Sequence, residues 1–456
     1  MKPVLLLSNG HGEDLSGALL AAALQRLGVA VEALPLVGHG DPYRRQGIAV
    51  LGHTRSYSTG GLGYTSLAGQ LTELLQGQVL YLLGRLALLR RRRRRYALVV
   101  AVGDIVPLLG AWLSGRPTAM YLVAYSSHYE GRLRLPWPCG WLLRQARVLA
   151  VWSRDVLTAS DLQAQLGRPV SFLGNPFLDP VAPDQILAPD QPVVSGESVV
   201  SGEPVASGRG AVAPEQTVTA GRGAAAAGPS ASGQLPMTPA RRLALLPGSR
   251  LPEALHNLEL MLQMLALLPA ELRRPGGLVV ELALVQELEL EAIAAMARPH
   301  GWQLEQAPGA SPSGPLLAGH GLRLLLGWGR FSGILAAADL VISMAGTASE
   351  QAVGLAKPVL QLAGRGPQFT ESFAEAQRRL LGSGLHCADG AAGSQAALNA
   401  TATLAAALLK QLADPTQAAA LRRRLERLAS ERIGDPGGSE RMAKAIMELL
   451  ETCPHG

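Results

Sequence analysis

Three kinds of residue are scarce in this chain, and each scarcity excludes a class of protein. The 456 residues include only three cysteines, which lie far apart and form neither a disulfide framework nor a metal-binding motif. Charged residues make up 17% and apolar residues 48%, a balance that excludes an intrinsically disordered protein. Aromatic residues are only 4%, whereas Ala, Leu and Gly are abundant, as is typical of helices packed on parallel sheets. We therefore expect a folded α/β protein from a reducing compartment.

Long apolar runs are also lacking. The segment 79–89 is apolar apart from Arg85, yet it is much shorter than the roughly 20 residues that a spanning helix needs. Six consecutive arginines, Arg90 to Arg95, follow it and dominate the net charge of +6. An apolar helix that ends in a basic block can lie on an anionic membrane, so we expect 79–95 to contact one. A solvated helix end is the alternative, and no nucleic-acid partner is expected because no aromatic platform or zinc motif accompanies the arginines.

Apolar strands alternate with helical stretches on both sides of a low-complexity segment. The predicted strands are 3–8, 29–36, 97–102, 119–124, 147–152, 170–173, 243–246, 277–285, 322–326, 339–343 and 358–362. The predicted helices include 14–27 and 252–268, and the C-terminal part, 403–450, is predicted to be helical. This alternation predicts parallel sheets covered by helices, and hence two Rossmann-like domains, 1–183 and 239–456. The segment 184–238 is rich in Gly, Ala, Ser and Pro, and we expect a disordered insertion there.

The first strand is followed by a loop that carries titratable side chains. Residues 8–14 contain Gly10 and Gly12, which allow a ligand to approach the backbone closely. They also contain His11 and Glu13, which are candidates for a general base. The alternative is that Asp14 simply caps the start of the following helix and that His11 is exposed.

Asp104 ends a second loop, directly after the predicted strand 97–102. Its carboxylate could deprotonate an acceptor hydroxyl or orient His11. A structural turn carboxylate is the alternative. The sequence does not decide which of His11, Asp104 and Glu13 is the base.

The segment 343–352 follows an apolar run and opens a predicted helix. Gly346 and Thr347 offer backbone N–H groups and the positive end of the helix dipole to a phosphate. Glu350, about one turn further along, could accept hydrogen bonds from both hydroxyls of a ribose. The combination predicts a nucleotide-sugar pocket, and an ordinary strand-to-helix turn is the alternative.

Two more loops complete the predicted donor site. Gly248 and Ser249 form a turn at the end of the strand 243–246, and Arg250 adds a forked cation that suits phosphate oxygens. Gln368 belongs to a later loop that could close over the sugar or the diphosphate. Because ligands of open α/β sheets bind at the carboxyl ends of strands, these loops could converge on one cleft.

In this order the loops resemble those of lipid-A-disaccharide synthases, and most of all the divergent branch called lipid-A-disaccharide synthase-related. The resemblance rests on the runs 245–250, 172–179, 345–350 and 366–370 and on a rearranged loop at 10–17. It covers nearly all of the chain outside the insertion. It implies the two-domain GT-B fold and an inverting, metal-independent glycosyltransferase that uses a UDP-sugar as substrate and needs no cofactor.

The resemblance also implies roles for individual residues. Glu350 would bind the ribose, and Asp104 falls where the family places an acidic residue thought to act in catalysis. The residues that would hold the diphosphate are Gly248, Ser249, Arg250, Gly346 and Thr347. The sequence departs from the family at Asn175, where a histidine is usual, and at His11, which looks more like the Gly-Gly-His loop of peptidoglycan and glycolipid glycosyltransferases. These departures put the acceptor's identity in question.

The leading hypothesis is a glycosyltransferase that moves a sugar from a UDP-sugar to a lipid acceptor. Its most specific form joins UDP-2,3-diacylglucosamine to its monosaccharide lipid acceptor, with the protein cytoplasmic and peripheral on the inner face of the cytoplasmic membrane. Gly10, Gly12 and Asn175 would then belong to loops on the acceptor side. The alternatives are a UDP-GlcNAc 2-epimerase-like enzyme, another glycolipid glycosyltransferase, and a non-catalytic nucleotide-sugar-binding protein.

Overall fold

Seven strands and seven α-helices form the described part of the N-terminal half. The computed structural model describes residues 2–55, 78–182, 240–306, 314–362, 364 and 371–452. The strands are β1 (Val4–Ser8), β2 (Val31–Pro35), β3 (Ala49–Val50), β4 (Leu98–Val102), β5 (Thr118–Leu122), β6 (Val148–Ser153) and β7 (Ser171–Phe172). The helices are α1 (His11–Arg26), α2 (Asp41–Arg45), α3 (Gln78–Arg92), α4 (Ile105–Ser114), α5 (Ser127–Glu130), α6 (Cys139–Leu143) and α7 (Val156–Leu166).

The N-terminal strands form one parallel sheet in the order β3-β2-β1-β4-β5-β6-β7. Strand β1 lies between β2 and β4, so that Leu6 is in register with Ala33 on one side and Val100 on the other. All residues of β1 and β4 are buried, as expected for strands that are covered by helices on both faces. The strand order reverses direction between β1 and β4, and ligands of such sheets bind at that point.

Eight strands and eight α-helices form the described part of the C-terminal half. The strands are β8 (Arg241–Leu246), β9 (Leu278–Leu284), β10 (Gln303–Gln306), β11 (Pro315–Gly319), β12 (Leu322–Trp328), β13 (Leu340–Ser343), β14 (Val359–Gln361) and β15 (Leu385–Cys387). The helices are α8 (Glu253–Ala266), α9 (Leu290–Ala297), α10 (Phe331–Ala337), α11 (Gly346–Gly354), α12 (Glu371–Leu381), α13 (Gln395–Ala413), α14 (Pro415–Arg432) and α15 (Gly438–Thr452).

The C-terminal strands form a second sheet in the order β10-β11-β12-β9-β8-β13-β14-β15. Strands β10, β11 and β12 pair antiparallel at one edge, and the remaining neighbours pair in parallel. The order reverses between β8 and β13, which places a second ligand-binding edge where these two strands end.

The two sheets confirm the predicted α/β fold class with two Rossmann-like halves. Every predicted strand is present, with its ends within about two residues of the prediction. Strands β3, β10, β11 and β15 were not predicted. Helix α1 begins at His11 rather than at residue 14, and the predicted helical region 403–450 is divided among α13, α14 and α15.

The predicted insertion 184–238 lies outside the described residues. The domain boundaries at 183 and 239 border this segment, and they stay predictions. Residues on both sides of it belong to one compact unit that contains both sheets.

The last helix packs on the N-terminal half. Helix α15 contacts α1, and its Met442 and Ile446 share an apolar core with Leu20 and Leu24 of α1. The carboxylate of Asp179 accepts hydrogen bonds from three backbone N–H groups at the start of α15, at distances from 2.7 to 3.2 Å. These contacts join the two halves through a capped helix start.

Helix α3 contains the segment that was expected to touch a membrane. It covers residues 79–89 and the first arginines of the basic run, and Arg93–Arg95 continue it as a 3-10 turn. The Arg85 guanidinium points inward and donates hydrogen bonds to the carbonyl groups of Pro35 and Leu51. Among the described helices none is long and apolar enough to cross a membrane.

Candidate functional site

The predicted site loops lie at the two points where strand order reverses. In the N-terminal sheet, the loop after β1 contains Gly10 and the loop after β4 contains Gly103 and Asp104. Both glycines have positive φ angles, 147° and 132°, which side chains rarely tolerate. Each loop therefore turns sharply from a buried strand into a helix at the carboxyl edge of the sheet.

The C-terminal sheet repeats this arrangement. The loop after β8 turns at Gly248, whose φ is 110°, and the loop after β13 leads into α11 at Gly346. A Cβ atom added at Gly248 would lie 3.5 Å from the carbonyl oxygen of Met344, so these two loops are in contact. The Asn257 side chain donates a hydrogen bond of 2.8 Å to the carbonyl of Pro247 and thereby fixes the first loop.

The starts of α1 and α11 approach each other across the two halves. A Cβ atom added at Gly12 would lie 3.1 Å from Oγ1 of Thr347. Gly10 and Ala345 occupy the N-cap positions of these helices, and neither helix start is capped by a side-chain hydrogen bond. Both positive helix ends therefore meet at the same place with backbone N–H groups available for an anion.

The Glu13 carboxylate lies between the loops of the N-terminal sheet. A Cβ atom added at Gly103 would lie 2.6 Å from Cδ of Glu13, so only glycine leaves room for this side chain. Glu13 Oε2 also lies 3.5 Å from the Cβ position of Gly10. This oxygen is buried and accepts no hydrogen bond from the described residues. It is therefore a buried acceptor atom that a substrate hydroxyl could satisfy.

The environment of Glu13 favours its protonated form. Burial raises the pKa of this carboxyl well above its usual range, and the nearby charges of Asp104 and Asp14 raise it further. A raised pKa makes the ionised carboxylate a stronger general base than that of an exposed glutamate.

The Asp104 carboxylate, unlike that of Glu13, has hydrogen-bond partners for both of its oxygens. Its Oδ1 atom accepts a hydrogen bond of 2.8 Å from the backbone N–H of Val106 and caps α4. The Asn9 amide donates longer hydrogen bonds of 3.3 and 3.4 Å to the two carboxylate oxygens. Burial raises the pKa of Asp104 as well. Asp104 therefore caps a helix and also places a second carboxyl beside Glu13.

A buried chain of hydrogen bonds lies behind Glu13, and no motif in the sequence reveals it. The Tyr43 hydroxyl donates to Oγ of Ser8 at 2.9 Å, and Ser8 Oγ donates to Oδ1 of Asp14 at 2.5 Å. Asp14 is only 2% exposed, and burial raises its pKa to about 7. Its carboxyl does not cap α1, which was the structural role considered from the sequence.

Asp14→Asn is expected to change how stability depends on pH. Because the pKa of Asp14 is about 7 in the folded chain and 3.8 without burial, the folded state binds more protons between these values. The free energy of unfolding should therefore decrease as pH rises from about 4 to about 7. The variant keeps a neutral side chain and should lack this contribution, so it should be more stable at pH 8 by roughly 2–4 kcal/mol.

Denaturant unfolding at pH 5 and pH 8 measures this difference. Asp389→Asn, at an exposed aspartate, is the matched control and should leave the pH dependence unchanged. An Asp14→Asn variant with the same loss of stability between pH 5 and pH 8 as the original chain would contradict the assignment.

Glu350 forms an ion pair that joins the two halves. Nη2 of Arg154, which follows β6, lies 2.5 Å from Oε2 of Glu350, and the two side chains are 5% and 13% exposed. Arg154 also donates hydrogen bonds to the Val123 carbonyl and the Tyr129 hydroxyl. Burial raises the pKa of Glu350, and the Arg154 charge opposes that rise. Among the described residues, Oε1 of Glu350 has no hydrogen-bond partner.

Asn175 is in the interior, although its motif predicts a position in a loop on the acceptor side. Its Nδ2 atom donates to the carbonyl groups of Arg154 and Ile433, at 2.9 and 2.5 Å, and its Oδ1 atom accepts from the Tyr121 hydroxyl. The side chain is fully buried and its donors and acceptor are used. It therefore ties the two halves together and positions Arg154.

For the remaining predicted site residues that it describes, the structure gives the position in the chain but few side-chain contacts. His11 begins α1, and its side chain is not described. Ser249 is exposed on the loop after β8, and Arg250 follows it. Gln368 lies outside the described residues. In the part of the chain that the structure describes, no group of three or more His, Cys, Asp or Glu side chains could hold a metal ion.

Known structures share this architecture over nearly their full length. S. aureus MnaA in complex with UDP superposes with a TM-score of 0.50 at 13% identity, covering 99% of this chain and 97% of that chain. The calicheamicin glycosyltransferase CalG4 superposes with a TM-score of 0.50 at 15% identity, covering 99% of each chain. A putative UDP-N-acetylglucosamine 2-epimerase from Listeria monocytogenes reaches 0.49 at 13% identity, covering 99% of this chain and 97% of that chain.

The fold is that of the GT-B proteins. Two Rossmann-like sheets face each other across a cleft, and the starts of α1 and α11 meet in it. No protein-family model and no curated protein sequence matches the chain. At identities below 20% the structural likeness establishes the fold alone.

Proposed function

We propose that this protein is an inverting, metal-independent glycosyltransferase that moves a sugar from a UDP-sugar to a lipid acceptor. The observation that supports it is the position of Glu13, a buried carboxylate with an unused acceptor atom next to two uncapped helix starts. Glycosyl transfer needs both a base for the acceptor hydroxyl and positive groups for the leaving diphosphate. The cleft brings these two requirements together.

In the proposed reaction, Glu13 accepts the proton of an acceptor hydroxyl. The hydroxyl oxygen attacks the anomeric carbon from the face opposite the diphosphate, and the bond from that carbon to the diphosphate oxygen breaks. The bonding electrons leave with UDP, and the configuration at the anomeric carbon inverts. Burial, together with the neighbouring charge of Asp104, raises the pKa of Glu13 and makes its carboxylate a better proton acceptor.

The C-terminal half would bind the donor. The backbone N–H groups at Gly346 and Thr347 point along a positive helix end, where a diphosphate would be stabilised. The loop with Gly248, Ser249 and Arg250 contacts the loop that leads into this helix. Co-crystallisation of MnaA with UDP on the same fold supports the choice of a uridine diphosphate.

Glu350 remains our candidate for the ribose. Its Oε1 atom has no partner among the described residues, while Arg154 holds Oε2. A ribose hydroxyl could bind Oε1 directly, or the cleft could open and release the ion pair. Gln368 would close over the sugar from its loop.

The N-terminal half would bind the acceptor, at the loop that contains Gly10 and Gly12. We propose a lipid acceptor, with the protein cytoplasmic and peripheral on the inner membrane face. The most specific version is lipid-A-disaccharide synthesis from UDP-2,3-diacylglucosamine. The acceptor loop and the resemblance of the sequence motifs support this version.

One observation also favours a UDP-GlcNAc 2-epimerase-like enzyme. Glu13, Asp14 and Asp104 form a buried group of carboxyls with raised pKa values, and epimerisation at C2 of a sugar needs proton transfer by such groups. This enzyme would use the same donor pocket without an acceptor.

Two measurements on the full chain test these proposals. Calorimetry with UDP, UDP-GlcNAc, UDP-glucose, UDP-galactose and UDP-2,3-diacylglucosamine should show saturable binding, tightest for the acylated sugar if the most specific version holds. Incubation with UDP-GlcNAc in D2O should leave the hydrogen at C2 unexchanged. Deuterium at C2 would replace the transferase proposal by the epimerase, and no binding of any UDP compound would overturn both.

A further inference from the structure

Helix α3 exposes leucines and buries an arginine. Leu80 and Leu83 are 76% and 55% exposed, whereas Arg85 is only 3% exposed. In a helix that faces only water, arginine is expected outside and leucine inside. Burying a charge costs free energy, and an exposed leucine contributes no free energy of burial. Gly84 and Ala87 continue the outward stripe. The outer face of α3 therefore suits a partner that is itself partly apolar.

Two tryptophans continue this apolar surface on the neighbouring helices. Trp137, two residues before α6, is 91% exposed, and Trp141 in α6 is 50% exposed. Trp141 packs edge-on against Trp112 of α4, with ring centroids 5.5 Å apart. Helix α4 packs against both α3 and α6, so the three helices lie side by side over one apolar core.

We call this surface the tryptophan face. It consists of Leu80, Leu83, Leu109, Leu113, Trp137 and Trp141, all of which are at least 36% exposed. Single exposed apolar residues are common on soluble proteins, but a set on three adjoining helices marks an interaction surface. Tryptophan in particular is enriched where a protein meets the boundary between water and lipid.

Positive charge is concentrated around the same helices. Residues 78–150 contain twelve arginines and only two carboxylates, Asp104 and Glu130, which gives +10, while the whole chain carries +6. The rest of the chain is therefore negative by four charges. In the described structure Arg95 is the only one of these arginines in an ion pair, with Glu32. The positive charge of this surface favours binding to an anionic partner.

A surface cavity lies beside the two exposed tryptophans. Its volume is about 830 Å³, and its walls include Arg132, Arg134, Arg144, Trp137 and Trp141. Guanidinium groups bind phosphate oxygens in a forked geometry, and the indole rings provide apolar wall. This combination suits the phosphate headgroup of a lipid whose chains continue into a bilayer.

We propose that the tryptophan face docks on an anionic lipid bilayer. Trp137 and Trp141 lie at headgroup depth, the exposed leucines of α3 and α4 face the lipid, and the arginines contact lipid phosphates. This docking surface rests on the proposed function, because an enzyme that uses a lipid acceptor has to reach that acceptor from a bilayer. It extends the contact well beyond residues 79–95, to segments that the sequence did not indicate.

Flotation of the full chain with lipid vesicles tests the apolar part of this surface. The chain should bind vesicles of phosphatidylcholine with about 30% phosphatidylglycerol at least tenfold better than vesicles of phosphatidylcholine alone. Trp137→Ser with Trp141→Ser should weaken this binding at least about tenfold. Leu27→Ser with Leu304→Ser removes two apolar side chains of 43% and 39% exposure elsewhere and should have no effect.

Charge variants test the electrostatic part. Arg91→Gln with Arg94→Gln should lower vesicle binding by roughly 30-fold, since each arginine near the surface contributes about 1 kcal/mol. The matched control is Arg423→Gln with Arg427→Gln, at exposed positions of α14. Both double variants remove two positive charges, so equal losses would show an effect of net charge alone and overturn the proposal.

Three further results would overturn it. They are equal binding to neutral and anionic vesicles, equal binding by the tryptophan variant and its control, and tighter binding to RNA than to anionic vesicles. Calorimetry with UDP on the same variants, without vesicles, separates the two proposals. A tryptophan variant that loses vesicle binding but keeps UDP binding supports the tryptophan face as a docking surface. An unmodified chain that binds UDP but no anionic vesicles refutes that surface, whereas one that binds vesicles but no UDP refutes the donor site.

Discussion

Glu13→Gln is expected to abolish sugar transfer while leaving UDP binding close to that of the original chain. Glutamine fills the same space over Gly103 but cannot accept the acceptor's proton. Removing a positioned general base typically costs a factor of about 10²–10⁴ in rate. The UDP group would lie on the other side of the cleft, at the start of α11. Single-turnover transfer and calorimetry with UDP measure the two quantities separately.

The pH dependence of transfer gives a second test of the same role. Glu13 must be ionised to act as a base, so kcat/KM should fall as pH drops below its raised pKa, well above the usual range of a glutamate. Asp104→Asn removes the neighbouring like charge and should move this acid limb to lower pH. Glu287→Gln, at an exposed position, is the control. Full activity of Glu13→Gln would leave His11 or Asp104 as the base.

Glu350→Gln is expected to destabilise the folded chain by about 3–5 kcal/mol, because it leaves the buried Arg154 charge without its partner. The same change should weaken UDP binding by about 1–3 kcal/mol if Glu350 also binds the ribose. Equilibrium unfolding in urea measures the first effect and calorimetry the second. The two effects are separable, since the ribose contact concerns the ligand and the ion pair concerns the free protein.

Two controls make this prediction specific. Glu305→Gln breaks the exposed ion pair between Arg323 and Glu305, whose side chains are 59% and 44% exposed, and should cost less than about 1 kcal/mol. Replacing Arg154 by Met and Glu350 by Leu together should recover most of the stability lost by Glu350→Gln, since no buried charge then remains unpaired. An unchanged midpoint for Glu350→Gln would mean that the ion pair contributes nothing to stability.

The strands that build the two sheets could be predicted from the sequence because they are buried on both faces. Strands β1 and β13 are apolar runs that end in a serine, and β4 is an apolar run that a glycine follows. Strand β3 has two residues, and three of the four residues of β10 are polar, so neither has an apolar run to reveal it. The start of α1 was placed too late because Asp14 looks like a capping residue, although Gly10 occupies the cap position.

The candidate site could be predicted only in part from the sequence. Glycine-containing loops after strands located both edges of the cleft, because ligands of α/β sheets bind there. The Tyr43–Ser8–Asp14 chain was missed, since it joins residues from different elements with no shared motif. The partnership of Arg154 and Glu350 was also missed, because it depends on how two separately folded sheets meet. Asn175 shows the same difficulty, since only the three-dimensional structure reveals that its amide is fully used.

The hydrogen bonds between Asp179 and the start of α15 affect the order in which the chain can fold during its synthesis. The N-terminal sheet can form on the ribosome as soon as its strands have emerged. The apolar side of α1 that contacts Met442 and Ile446 stays uncovered until α15, the last described helix, has been made. A nascent N-terminal half therefore emerges with an exposed apolar groove and an unused Asp179 carboxylate, and a chaperone that binds apolar segments would recognise it until translation reaches α15.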